Sequence, residues 1–345
     1  MTSERSTPLR MLPVAMLCAS LLPAQALASE DITLKLAHPL PATHFMWEHG
    51  LKHFTEEVTE KTGGKVRFEV YPANQLGRDY YSIITSNLAD IALTITMYAP
   101  DRFPLTSINE LPGFYSSACE GSARYWELAK PGATLDEFEY KPMGLHILFV
   151  STSPPYSMLT TTKKVENLET AKGLKILANG IGLVAATRAL GAIPISIPVP
   201  ELYDALSRGT VDGAVYPVNS TMQYKLEEKM NYSLDGLNFG SGSFYVGMSA
   251  KKWEALPEDV REIMTAAAAT TQRDLCQWLD NFDRESRELL VRDHGVVSTT
   301  LPPADQAAWL DRIEGVAADW AAQMDATGRK GTEVLEAWKA AGTGR

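Results

Sequence analysis

Hydrophobic and polar residues follow two different periods along the chain, and segments of the two kinds alternate. Residues 32–36 alternate apolar with polar side chains, which predicts a β-strand. Apolar residues at helical spacing then predict a helix over 47–58, and residues 66–70 alternate again. Because strands and helices follow one another in this way, we predict an α/β fold with a mostly parallel sheet.

The same pattern continues, and it ends in a long helical region. Further strands are predicted at residues 91–95, 145–150, 174–178, 211–216 and 244–248, and further helices at 80–87, 182–190, 201–207 and 309–320. Another helical segment begins at Pro257 and reaches His294 without Gly or Pro, with room for one break near Thr270. At ~1.5 Å per residue it could extend about 50 Å, which exceeds the width of a small domain.

The first residues have the features of an export signal. Arg5 and Arg10 precede an apolar run over 11–22, and Ala-Leu-Ala at 26–28 forms a small-x-small cleavage site before Ser29. The apolar run is shorter than the roughly 20 residues that span a bilayer. We therefore expect a signal peptide over 1–28 and a soluble product exported to a bacterial periplasm.

Length and charge narrow the class of protein. The 345 residues correspond to about two domains. The net charge is −10, and −11 without residues 1–28, so the chain repels phosphate backbones and no nucleic-acid partner is expected. Cys119 and Cys276 remain in the exported part. The periplasm permits one disulfide between them, and two buried thiols are the alternative.

Histidines in the first helix raise the question of a metal site. His49 and His53 are spaced i, i+4 with His44 nearby, and this spacing can hold a metal ion on one helix face. A zinc protease would have Glu at position 50, where this chain has Gly50, and no third acidic ligand is close in sequence. We therefore interpret the group as a solvated or hinge-facing cluster and predict no metal.

A glycine motif resembles a dinucleotide-binding fingerprint. Gly180-x-Gly182-x-x-Ala185 lies between a predicted strand and a helix. Pro194 and Pro198 interrupt the central strand that should follow, and prolines are rare in such strands. We interpret the motif as a glycine-rich turn at a helix N-terminus, where free N–H groups remain open to a ligand, and we predict no cofactor.

The sequence lacks catalytic motifs, but several aromatic residues lie near predicted strand ends, where a ligand could bind. The sequence contains no Gly-x-Ser-x-Gly, Walker or Cys-x-x-Cys motif, so an exported α/β hydrolase or lyase is only the alternative to a non-enzymatic protein. Ligands of α/β proteins bind at the carboxyl ends of strands. Aromatic residues near predicted strand ends or loops are Trp47, Tyr98, Phe114, Tyr115, Tyr156, Tyr216, Phe244 and Tyr245.

Several segments, in order along the chain, carry a family resemblance. They are LAH at 36–38, YPANQLG at 71–77, ADIA at 89–92, GLKI at 173–176, ALGAIP at 189–194 and PELYDALSRGTVDG at 200–213. Together they resemble the DctP-like solute-binding proteins of tripartite ATP-independent periplasmic (TRAP) transporters.

The resemblance implies a type II-like periplasmic binding protein with two lobes, crossing hinge strands and a long connecting helix. The first lobe would comprise 29–152 plus 243–282, the second 153–242 plus 283–325, and a C-terminal tail or helix 326–345. A monomer is implied, whose lobes close on one small organic solute and deliver it to the small and large subunits of a membrane permease. A sensor that docks on a receptor kinase is a further alternative.

The chain departs from the family at the implied ligand site. Most members have an Arg after the strand at 173–176 that clamps a substrate carboxylate, and Leu177 stands there. A second basic position falls near Tyr156, and the usual Asn before a Pro corresponds to Tyr216. A buried carboxylate without a cation costs several kcal/mol. We therefore expect an amine, a quaternary ammonium or an aromatic solute, with an organic acid held by another cation as the alternative.

The predicted ligand-binding set combines the substituted positions, nearby amides and the aromatic residues at strand ends. It consists of Leu177, Tyr156, Tyr216, Asn219, Asn179, Trp47, Tyr98, His44, Phe114 and Phe244.

Overall fold

Two mixed β-sheets organise the chain in this computed structural model, which describes residues 31–342 together with Thr2. The predicted signal peptide therefore lies outside the described residues, apart from Thr2. The strands in chain order are β1 (Ile32–Ala37), β2 (Val66–Tyr71), β3 (Ile91–Ile95), β4 (Leu145–Thr152), β5 (Ser157–Thr160), β6 (Lys175–Leu177), β7 (Ile193–Ile195), β8 (Gly213–Tyr216), β9 (Tyr232–Leu234), β10 (Ser243–Ser249) and β11 (Val297–Thr299).

The first sheet has the order β2-β1-β3-β10-β4, and the second has the order β11-β9-β5-β8-β6-β7. We call the part of the chain around the five-stranded sheet the first lobe and the part around the six-stranded sheet the second lobe. The chain crosses between them over residues 153–156 and again over 235–242. In each sheet the strand at a crossing, β10 or β5, is antiparallel to its neighbours. The two-lobed α/β class is confirmed, and the exact lobe boundaries stay a prediction.

Helices cover both sheets. They are α1 (Lys52–Lys61), α2 (Tyr80–Thr85), α3 (Ala118–Ala129), α4 (Leu168–Ala171), α5 (Ile181–Ala189), α6 (Leu202–Ser207), α7 (Ala250–Glu254), α8 (Glu258–His294), α9 (Pro303–Ala326) and α10 (Gly331–Ala341). Short polar side chains begin several of them: Asp79 accepts a hydrogen bond from Ser82 N, and Ser117 accepts one from Glu120 N. Within residues 31–342, no helix is long and apolar enough to cross a membrane.

Shorter helical turns connect these elements. The π-helical turns are Trp47–Leu51 and Asp136–Tyr140, and the 3-10 turns are Thr96–Tyr98, Thr106–Glu110, Val199–Glu201, Val218–Tyr224 and Leu226–Glu228.

The long helix α8 joins the two lobes. It runs unbroken for 37 residues, packs on α1, α3 and β4, and also meets the turn Val218–Tyr224 of the second lobe. The predicted break near Thr270 is wrong. Buried residues recur at helical spacing through this region, with Ala268, Thr271 and Leu275 on one face, so the packing is continuous. Gly295, at φ 67°, ends the helix in the left-handed conformation.

Two further helices and an edge strand complete the frame. Trp309 of α9 lies in the core of the second lobe, whereas Trp320 of the same helix lies in the core of the first. Trp338 of α10 packs in the first lobe next to α3. Pro194 lies in β7, at the edge of its sheet. An edge strand tolerates proline because the missing N–H can face away from the neighbouring strand.

The two cysteines of the exported part form a disulfide. Cys119 at the start of α3 is bonded to Cys276 of α8, with a Cα–Cα distance of 4.7 Å. The carboxylate of Asp280, one turn further along α8, accepts hydrogen bonds from Ala118 N at 2.6 Å and Cys119 N at 3.2 Å. The start of α3 is therefore held to α8 by a covalent bond and by a cap. The alternative of two free thiols is wrong.

Candidate functional site

A cleft of about 1480 Å³ lies between the lobes, at the ends of strands from both sheets. Ile95 ends β3, Tyr98 lies in the turn after it, and Phe244 comes from the start of β10. Asn179 after β6 and Tyr216 at the end of β8 face them from the second lobe. Strand ends leave backbone and side chains free of sheet pairing, so a crevice between them suits a small ligand.

Six tyrosines line the cleft, and we call four of them, Tyr98, Tyr156, Tyr216 and Tyr224, the tyrosine wall. The rings of Tyr156 and Tyr216 have centroids 6.5 Å apart at an interplanar angle of 46°. Tyr98 is 64% exposed, whereas Tyr156 is 8% exposed. Burial raises the pKa of Tyr156 and Tyr216 well above the ordinary phenol value. The wall therefore presents ring faces and neutral hydroxyls.

The position of Tyr156 depends on the crossing segments. Its backbone N–H donates to Gly240 O at 3.0 Å, and the next residue, Ser157, pairs with Tyr216 in the sheet. A Cβ atom at Gly242 would stand 2.6 Å from the Tyr156 hydroxyl. Glycine at 242 is therefore what allows the ring to lie against the crossing strand.

Charged residues of both signs also line the cleft. Arg102 Nη2 lies 3.5 Å from Asp79 Oδ2, and its guanidinium lies 5.1 Å from the ring centroid of Tyr81. Arg78 and Arg188 line the cleft as exposed residues, and neither forms an ion pair within the described residues. These two guanidiniums are therefore available to an anion.

His44 lines the cleft as a neutral side chain. Burial, with a smaller effect of His38, lowers the pKa of His44 to about 4. Its Nδ1 accepts a hydrogen bond from Met46 N at 3.1 Å, so the proton lies on Nε2 and can be donated. His38 is fully buried and stacks on Trp47 with centroids 5.0 Å apart.

The two predicted amides lie in different environments. Asn179 lines the cleft, but its Nδ2 donates to Ile197 O at 3.0 Å and its Oδ1 accepts from Ser196 Oγ at 2.8 Å. This amide therefore holds the neighbouring loop. Asn219 is buried, accepts from Ser220 Oγ at 3.1 Å, and leaves Nδ2 without a hydrogen-bond partner among the residues described.

The structure brings together six of the ten predicted side chains. Those that line the cleft are Tyr156, Tyr216, Asn179, Tyr98, His44 and Phe244; those outside the lining are Leu177, Asn219, Trp47 and Phe114. Leu177 is 2% exposed in an apolar cluster with Leu159, and Phe114 packs edge-on against Trp338. An aromatic residue at a strand end can point to the core as readily as to the crevice. The role of all ten in ligand binding stays a prediction.

Some cleft residues were not predicted from the sequence. Tyr224 and Arg188 line the cleft from the turn Val218–Tyr224 and from the last turn of α5. The glycine-rich turn at Gly180 lines it as well, but the side chain of Glu110 lies behind this turn and interacts with the N–H groups of Ile181 and Gly182. The expectation that these N–H groups are free for a ligand is therefore wrong.

The histidine pair of the first helix lies away from the cleft. His49 and His53 have ring centroids 6.4 Å apart, and His49 stacks on Trp278 at 4.0 Å. Within residues 31–342, no three His, Cys, Asp or Glu side chains are grouped so that they could hold a metal ion.

The chain was compared with protein families and with known proteins, and it matches a family of bacterial binding proteins. Residues 36–323 match the family model described as bacterial extracellular solute-binding protein, family 7. The C4-dicarboxylate-binding periplasmic protein DctP of Rhodobacter capsulatus is 24% identical over 326 residues, which cover 91% of this chain and 92% of that protein.

Solved structures agree in fold. A TRAP periplasmic solute-binding protein from Desulfovibrio salexigens is 27% identical with a TM-score of 0.80, covering 90% of this chain and 95% of that one. A TRAP solute-binding protein from Rhodoferax ferrireducens, in complex with copurified benzoate, is 26% identical with a TM-score of 0.79, covering 90% and 98%.

Proposed function

Because the chain belongs to family 7 of the bacterial extracellular solute-binding proteins, the DctP family, we propose that it captures a small organic solute and delivers it to the membrane subunits of a TRAP transporter. The observation that carries the proposal is the cleft between two sheets, lined by strand ends from both lobes. Two crossings, α8 and α9 connect the lobes, and such connections allow hinge closure on a ligand. Closure excludes water and buries the solute between walls that are apart in the open form.

The solute is an organic cation or an uncharged aromatic compound. Tyr156 and Tyr216 offer ring faces and neutral hydroxyls, and the buried Leu177 stands where the resemblance implies an arginine clamp. A cation over a tyrosine face gains about 0.5–2 kcal/mol, more as water is excluded. The net charge of −10 also favours the approach of cations over anions.

An aromatic carboxylate is the second candidate, and one observation favours it. Arg78 and Arg188 line the cleft without an ion pair in the described part of the chain, so a carboxylate at the edge of the cleft could meet a guanidinium. The benzoate bound to the Rhodoferax ferrireducens protein makes this class worth a direct comparison. In this case the ring would lie on the tyrosine wall and the acid group would point to the rim.

Calorimetric titration of five compounds separates these candidates. The panel is benzyltrimethylammonium, choline, benzyl alcohol, benzoate and succinate, added to protein purified without refolding. We expect binding of at least one of the first three and none of succinate. Tight binding of benzoate, lost in Arg188→Gln or Arg78→Gln, would establish the second candidate, and binding of succinate alone would reject both.

A further inference from the structure

An arginine of the long helix binds the segment that carries Tyr156. Arg287 lies on α8, and its guanidinium donates from Nη1 to Ser157 Oγ at 2.7 Å and from Nη2 to Pro155 O at 3.4 Å. These acceptors belong to the residues on either side of Tyr156, one in the first crossing (153–156) and one at the start of β5. Arg287 therefore contacts the chain immediately before and after a ring of the tyrosine wall.

The same guanidinium also binds the beginning of the second crossing. Its Nη1 donates to Asp235 Oδ1 at 2.7 Å, and its Nε donates to Asp283 Oδ2 at 2.7 Å, one turn earlier on α8. Asp235 is the first residue of the second crossing (235–242), and its Oδ1 also accepts a hydrogen bond from Ser157 Oγ at 2.9 Å. One arginine thus joins α8 to both crossings.

The shape of the guanidinium suits this set of acceptors. Its N–H groups point in several fixed directions in one plane, whereas a lysine ammonium is a compact charge on a flexible stem. The side chain of Arg287 is 32% exposed, and those of Asp235 and Asp283 are 22% and 12% exposed. Because these ion pairs are partly shielded from water, they hold their geometry better than a fully exposed pair does.

The other contacts of this segment connect it to the cleft. The backbone N–H of Tyr156 donates to Gly240 O at 3.0 Å, in the second crossing. Ser157, which Arg287 binds, pairs with Tyr216 in the sheet of the second lobe. The rings of Tyr156 and Tyr216, 6.5 Å apart, are therefore carried by neighbouring positions. A displacement of the first crossing would change the distance between these two rings and hence the surface that a solute meets.

We propose that Arg287 is a positioning residue for solute binding, which fixes the ring of Tyr156 in the cleft by binding the chain on both sides of it. Arg287 does not line the cleft, so it acts through Tyr156 rather than on the solute. The contribution to solute capture rests on the function proposed above. The effect on the position of the ring does not depend on which solute binds.

Fluorine NMR on ligand-free protein labelled with 3-fluorotyrosine tests the position of the ring. The Tyr156 resonance is identified as the one that disappears in Tyr156→Phe. In Arg287→Lys, which keeps the positive charge beside Asp283, this resonance should shift or split, because one ammonium cannot hold both flanking acceptors. In the matched control Arg292→Lys it should stay in place, since Arg292 is exposed on the same helix and pairs with the adjacent Asp293.

Ser157→Ala is a second variant, and it decides the question if Arg287→Lys does not fold. It removes the hydroxyl that Arg287 Nη1 binds and leaves both ion pairs of the guanidinium. The Tyr156 resonance should again shift, by less than in Arg287→Lys, because the Pro155 carbonyl keeps its hydrogen bond.

Calorimetric titration measures the consequence for binding. With benzyltrimethylammonium as the probe, the Kd should rise in Arg287→Lys by about 2- to 30-fold, which corresponds to the loss of one contact between a cation and a ring. Arg292→Lys should keep the wild-type Kd.

The outcomes separate this inference from the proposed function. A Tyr156 resonance that is unchanged in Arg287→Lys and Ser157→Ala overturns the inference, even if both variants unfold at lower urea concentration, because Arg287 would then stabilise the fold without fixing the ring. An equal shift in Arg292→Lys, or a wild-type Kd in Arg287→Lys, also overturns it. If the probe does not bind the wild-type protein, the proposed solute class fails, while the fluorine spectra still decide the role of Arg287.

Discussion

Replacing Leu177 by arginine tests whether position 177 belongs to the apolar interior or to the ligand site. Leu177→Arg restores the residue that the family resemblance implies at the end of β6. In the structure Leu177 is 2% exposed and lies in a cluster with Leu159 and Tyr216. It does not line the cleft. The arginine would therefore enter an apolar environment without a carboxylate partner.

The cost follows from burial and charge. Removing a buried leucine from its apolar environment costs about 1.5–3 kcal/mol. An unpaired buried charge costs about 3–5 kcal/mol. Because a long arginine side chain can extend its guanidinium towards the cleft, we expect the lower end of both ranges. The free energy of unfolding should therefore fall by about 5 kcal/mol in total. The matched control is Leu177→Met, which conserves volume and should cost less than about 1.5 kcal/mol.

Urea denaturation of the three proteins measures these free energies of unfolding, and benzoate or succinate is then added. A carboxylate that pairs with the new arginine should restore part of the lost stability, by about 2.7 kcal/mol at a concentration of 100 times its Kd. Benzyltrimethylammonium should not. An arginine variant as stable as the leucine protein without any ligand would refute the reasoning, since position 177 would then reach water or the cleft freely.

Three further predictions concern the disulfide, the crossing strand and a buried histidine. Reducing the bond between Cys119 and Cys276, which are 157 positions apart, should lower the free energy of unfolding by about 5 kcal/mol on the loop-entropy model, as measured with and without reductant; equal stabilities would contradict this. Gly242→Ala should cost about 1–3 kcal/mol through overpacking against Tyr156, and Tyr156→Phe in the same chain should recover most of it. Burial lowers the pKa of His38 from 6.5 to about 4, so its stabilising contribution is complete above pH 6.5 and is lost as the pH falls towards 4. Between pH 7.5 and 5 the wild type should lose about 2 kcal/mol more than His38→Phe, and parallel losses would argue against it.

Local patterns in the sequence were enough for the fold class and for most regular elements. Residues 32–36 and 66–70 alternate apolar with polar side chains, residues 91–95 form a short apolar run, and the structure has β1, β2 and β3 there. Short strands such as β5 and β9 were missed. They contain three or four residues with Ser or Thr among them, and their pairing is decided by the lobe crossings rather than by their own pattern.

The cleft could be predicted only in part. Tyr98, Tyr156 and Tyr216 were found because they stand at strand ends, and they line the cleft. Phe114 satisfied the same criterion but packs on Trp338, which lies 224 positions later in α10. No pattern in the sequence around Phe114 indicates that Trp338 is its packing partner.

Glu110 shows the same limit for a charged residue. It stands in a stretch of mixed polar and apolar residues before Leu-Pro-Gly, so its sequence neighbours do not indicate that it is buried. Its partners, at Ile181 and Gly182, are about 70 positions away. The glycines at 180 and 182 suggested a ligand-binding turn. In the structure they allow Glu110 to approach the backbone closely, and this approach cannot be read from the local sequence.

A cocrystal structure with the panel compound of highest affinity tests the central claim most directly. That claim is that tyrosine faces and hydroxyls hold the solute in place of an arginine clamp. We predict an ammonium group or an uncharged ring against Tyr156 and Tyr216, with no carboxylate bound by a guanidinium. An anionic solute held bidentately by Arg78 or Arg188 would contradict the claim.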